Sequence, residues 1–127
     1  MGHIANETFD FRKQLQKLVK ELNEKERIKQ GIENTKVIYG AVPQHFVDRL
    51  FQRVVRSEIN PVIKQFIQHI QTHKAEIKER ATPIPVEYKV QVMKYVVCVE
   101  INMGGPCVSD PYGTSILVIP KTIIKED

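Results

Sequence analysis

The sequence predicts an α+β protein, with three N-terminal helices packed on one face of a small C-terminal antiparallel sheet of three to four strands. Three observations carry that expectation. Up to residue 80, apolar residues recur at the three- and four-residue spacing of helices. The prolines of "ATPIP" (81–85) then block any helical continuation. Beyond them the apolar residues alternate with polar ones, as in half-buried strands. A chain of 127 residues is long enough for one core. The expected organisation is therefore a single domain over 1–127, helical over about 8–80 and β over about 86–124.

Residues 8–30 predict the first helix. Asp10 is its expected N-cap, and Phe11, Leu15, Leu18 and Leu22 line one face. That seam fades at Lys25 and Lys29, too soon for a coiled coil. The apolar face either lies on its own domain or pairs with another subunit. "TKVIYGAV" (35–42) reads as a short strand or an extended linker.

Pro43 opens a second helix, expected over 43–58, with Phe46, Val47, Leu50, Phe51, Val54 and Val55 as its apolar stripe. "NP" at Asn60–Pro61 is a cap-and-proline start signal for a third helix running to about residue 80. Its inward positions are Val62, Ile63, Phe66, Ile67, Ile70 and Ile77.

In "VEYKVQV" (86–92) the even positions are apolar, whereas Tyr95, Val97, Val99 and Ile101 continue at odd positions. A strand cannot change its buried face without a break, so a bulge or tight turn is expected at Met93–Lys94. "TSILVIP" (114–120) is the last full strand, ended by Pro120, with "KTIIKED" adding a short edge segment. "DPYG" (110–113) fits a type I turn position by position, and "MGGP" is a second turn signal.

Composition excludes several classes. Apolar content of 42% and charged content of 27% are those of a globular protein. The longest apolar runs fall far short of the roughly 20 residues that span a bilayer, so no membrane is expected. No basic-then-apolar leader pattern is read ahead of the first helix, so no signal peptide is expected, and Cys98 and Cys107 lack C-x-x-C spacing. Reduced thiols in a cytoplasmic protein follow from that reading. The net charge of +4 arises in residues 36–81, which hold eight basic against four acidic side chains.

Three patterns invite chemistry. His69, His73 and Glu76 recur at i, i+4 and i+7, a spacing for metal ligands on one helix face. They flank the apolar stripe, however, and Ile70 stands where an H-E-x-x-H base would be, so no metal is expected. Arg49, Arg53 and Arg56 repeat the same spacing, with Lys64 following, and form a basic ridge suited to phosphates. No RNP-type strand or KH-type loop accompanies it. Glu87-x-Lys89 has half of a nuclease motif and lacks the upstream aspartate. The 103–115 loop contains Cys107 with no histidine nearby in sequence, and neither phosphate-loop pattern is present, so no cofactor is implied.

The expected function is a non-enzymatic protein–protein interaction or assembly module that self-associates, most simply as a dimer. Its candidate contact residues are Phe11, Leu15, Leu18 and Leu22 on the first helix and Cys107, Val108 and Ser109 between the two turns. The alternative is a nucleic-acid-binding accessory protein using Arg49, Arg53, Arg56 and Lys64. A small hydrolase centred on the 103–115 loop is a third option.

Overall fold

The computed structural model describes residues 2–28, 36–103 and 115–125. In chain order the elements are α1 (Gly2–Ile28), β1 (Val37–Tyr39), α2 (Gln44–Arg53) and a 3₁₀ turn (Arg56–Glu58). They continue with α3 (Ile59–Thr72), α4 (Lys74–Arg80), β2 (Val86–Val92), β3 (Tyr95–Met103) and β4 (Ile116–Lys125). The arrangement is α+β, helices first and most of the sheet after, as the periodicity predicts.

The sheet differs from the expected antiparallel order in one respect. Its strand order is β1-β4-β3-β2; β2–β3 and β3–β4 are antiparallel, while β1 joins β4 in parallel. The "KVIY" stretch is thus a strand, and the sheet is mixed. A parallel neighbour requires a long crossover, and α2, α3, α4 and the β2–β3 hairpin all lie between β1 and β4.

Register and burial put the helices on one face. Val37, Tyr39, Val90, Val97, Val99, Ile116 and Val118 point into a single core with Phe46, Leu50, Val62, Phe66, Ile70 and Ile77. The phase change at Met93–Lys94 is a two-residue hairpin turn joining Val92 to Tyr95. Met93 carries it with a φ of 56°. Positive φ at the first of two turn residues alone is the type II′ pattern, whose twist suits a hairpin.

Several expected boundaries move. Asp10 lies inside α1, because Thr8 is buried and Glu7 pairs with Arg56, so packing holds the preceding turn. α2 stops at Arg53 instead of 58: Val54 and Val55 are extended, and the Val55 N–H donates to the Tyr95 hydroxyl at 3.3 Å. The Tyr95 hydroxyl itself donates to Glu58 at 2.8 Å, tying the α2–α3 junction to the hairpin. Asn60 is likewise interior, since α3 begins at Ile59. The third helix is broken at His73 into α3 and α4; the His73 ring Nδ1 lies 3.0 Å from the His69 carbonyl. Pro120 does not end β4. Val99–Pro120 is a non-hydrogen-bonded pair: the even residues of β4 turn their backbone groups towards β1, which ends at Tyr39, so the missing N–H breaks no ladder bond and the strand continues to Lys125.

Candidate interaction surface

A sheet of this kind has two edge strands, and their backbone polar groups must be paired, covered or left to water. At β1 the outer edge is covered by side chains of α1. The Asn23 amide bonds Tyr39 twice: Oδ1 accepts the Tyr39 N–H at 2.8 Å, and Nδ2 donates to the Tyr39 carbonyl at 2.9 Å. A Glu26 carboxylate oxygen accepts the Val37 N–H at 3.3 Å. Beyond the strand, Gln16 Oε1 accepts the Val42 N–H at 3.2 Å and Arg12 Nε donates to the Val42 carbonyl at 2.7 Å.

Arg12, Gln16, Asn23 and Glu26 are spaced four, seven and three residues apart, so they form one polar row beside the apolar seam of α1. These residues escape a sequence reading, in which they look like an ordinary solvated flank. The row was legible; its target was not, because nothing local shows that "VIY" becomes an edge.

The β2 edge is different. A two-residue turn makes Val92 and Tyr95 the first hydrogen-bonded pair, so β2 bonds β3 through its even residues. The N–H and C=O groups of Glu87, Lys89 and Gln91 therefore face outward. Among the described residues no element pairs with that edge. The side chains of these three residues lie on the sheet face turned away from the helices. The same outer face carries Ile38, Leu117, Ile119, Val96 and Ile124 towards the β1–β4 side, where Ile124 is 45% exposed.

The predicted site residues fall as follows. Leu15 is buried in the core, and Leu18 and Leu22 are half-buried against it. Phe11 meets Phe51 edge-on with centroids 5.2 Å apart. The apolar face of α1 is thus packed largely on its own core. A small apolar cleft of about 50 Å³ remains where Leu18 and Leu22 face Ile63 and Ile67 of α3.

The basic ridge is also not assembled as predicted. α2 ends at Arg53, so Arg56 leaves the helical row. Arg53 donates to the Ile123 carbonyl at 2.8 Å, Arg49 to Gln52 at 2.7 Å, and Arg56 pairs with Glu7 while stacking over Phe51. Lys64 stands on α3, exposed, with no part in these contacts.

The histidine pair has a structural use. The His69 and His73 rings stack with centroids 4.1 Å apart, and His69 Nε2 lies 3.0 Å from the Tyr88 hydroxyl. Burial, then the neighbouring His73, holds the His69 imidazole below its ordinary value, with Glu76 acting in the opposite sense. No group of three His, Cys, Asp or Glu side chains among the described residues is placed to hold a metal ion.

Cys98 is a free thiol on the outer face, almost wholly buried, and burial followed by the charge of Glu87 pushes its pKa up. That is the opposite of what a nucleophile needs. Cys107, Val108 and Ser109, with the "DPYG" and "MGGP" turns, lie outside the described residues.

No helix among the described residues is long and apolar enough to cross a membrane. Compared with known proteins, the chain matches no family model, no curated protein and no solved structure.

Proposed function

We propose that the chain is a non-enzymatic protein–protein interaction module that associates with itself. The observation that carries this reading is the unequal treatment of the two sheet edges. α1 covers β1 with the side chains of Asn23 and Glu26, which supports a need to keep that edge closed. β2, seven residues long, keeps an outward row of backbone donors and acceptors without such cover among the described residues. An edge of this kind is a template for another strand. The aliphatic side chains on the outer sheet face add surface of the sort that oligomers bury.

The nucleic-acid alternative has less support, since Arg53 and Arg56 are already engaged within the chain. Light scattering after size exclusion, from micromolar to near-millimolar protein, tests the proposal. The expected mass rises from that of the 14.7 kDa monomer towards twice that value with concentration. A monomer throughout the range contradicts it.

A further inference from the structure

We infer that β2 pairs with β2 of a second copy, antiparallel and about a two-fold axis at Tyr88; this rests on the self-association reading above. In a two-fold antiparallel pair, residues facing each other add to a constant position number, and both must point to the same face of the sheet. A one-residue slip would turn the buried set Tyr88, Val90 and Val92 of one copy to the wrong face. Only registers two residues apart remain, and charge separates them.

With Tyr88 opposite Tyr88, Glu87 of each copy faces Lys89 of the other, and Val86 faces Val90. Shifting one step brings Glu87 against Glu87; shifting the other way brings Lys89 against Lys89. Like charges directly opposite are destabilising, and unlike charges are favourable. One register is therefore self-complementary and both of its immediate neighbours are penalised. The backbone agrees with it, because Glu87 and Lys89 are residues whose N–H and C=O face outward. Charged edge residues ordinarily discourage pairing; this pattern discourages every nearby pairing but one.

The inner flank of β2 sharpens the case. Glu87 sits directly opposite Glu100 of β3, a like-charge pair across two bonded strands. Lys121 approaches Glu100 at 3.7 Å, and Lys89 approaches Glu87 at 3.8 Å. Lys89 of a second copy would stand on the free side of Glu87 and complete an alternating ring of four charges around the axis. The Glu87 and Lys89 side chains are 63% and 65% exposed, so both are available without rearrangement.

Two single charge reversals test the register. In Glu87→Lys, both cross-copy pairs become Lys against Lys; in Lys89→Glu, both become Glu against Glu. Each variant alone should self-associate at least about tenfold more weakly than the parent chain. Mixed in equal amounts, they form a heterodimer in which both facing pairs are again opposite in charge, so association returns. Both substitutions are on exposed side chains, and circular dichroism checks that each variant is folded.

Association by the parent chain with no loss in either variant, or loss in both with no recovery on mixing, overturns the register while leaving self-association standing. A parent chain that stays monomeric overturns both.

Discussion

Asn23 treats Tyr39 as a neighbouring strand would, accepting its N–H and donating to its carbonyl through a single side-chain amide, at 2.8 and 2.9 Å. A helix thereby finishes a sheet. The contact explains why α1 carries a polar row beside its apolar seam, and it leaves β2 as the edge on which an outside strand would add.

Replacing Asn23 with Ala should strand both Tyr39 groups in a part-buried site. A loss of about 2–3 kcal/mol is expected, from roughly 1–3 kcal/mol for each polar group left without a partner. Urea unfolding measures it. Asn23→Asp keeps the acceptor but sets a charged carboxylate oxygen against the Tyr39 carbonyl oxygen, so it should cost at least as much as Ala.

Gly40 is fixed by close approach. A Cβ there would lie 2.7 Å from Ile119 Cγ1 on the outer face of the sheet, and a carbon bonded directly to the branched Cβ has little room to yield. Gly40→Ala should destabilise by about 1–3 kcal/mol, the cost of overpacking. Combined with Ile119→Ala, the two changes should cost less than the sum of the singles in thermal or urea unfolding.

Met93 holds a positive φ of 56°, a region that costs a side chain about 1–2 kcal/mol. Glycine enters it freely and is the usual residue at the first position of a type II′ turn. After subtracting glycine's greater loss of chain entropy, Met93→Gly should raise stability by about 0.5–1 kcal/mol. An unchanged or lower midpoint of unfolding contradicts the strained turn.

Stability should fall on mild acidification. His69 is held below its ordinary value of 6.5, so the unfolded chain takes up a proton there at a higher pH than the folded one. The folded state then binds fewer protons, and its stability drops as pH falls from about 6.5 towards the folded pKa. Glu58 acts in a lower window: the Tyr95 hydroxyl holds its carboxyl below the ordinary 4.5, and its contribution is present above that value. Thermal midpoints at pH 7.5 and 5.5 read the His69 effect, and His69→Gln should flatten the difference.

The legible parts of this fold are those where one residue's neighbours in sequence are also its neighbours in space. The alternation that changes phase at Met93–Lys94 marks a hairpin, and Phe46, Leu50, Val62, Phe66 and Ile70 read directly as helix faces turned to the core. Val54 and Val55 continue the same spacing, yet α2 ends before them, because the Tyr95 hydroxyl forty residues on takes the Val55 N–H. That partner is invisible to a local pattern. The Arg49, Arg53 and Arg56 ridge dissolves for the same reason.

Parallel pairing of β1 with β4 is equally non-local, and it decides the surface: only once β1 is known as an edge does the row from Arg12 to Glu26 acquire a purpose. Glu87 and Lys89 were legible as alternating charge on a solvent face. Their proposed pairing with a second copy depends on β2 being the opposite edge of the sheet.

The central claim, one edge closed by α1 and the other open to a second copy, is tested most directly by amide hydrogen exchange at several protein concentrations. The Val37 and Tyr39 amides should be protected equally at every concentration, since their acceptors lie within the chain. The Glu87 and Lys89 amides should exchange fast in dilute protein and slow as concentration rises. Protection of Glu87 and Lys89 that does not change with concentration would contradict the account.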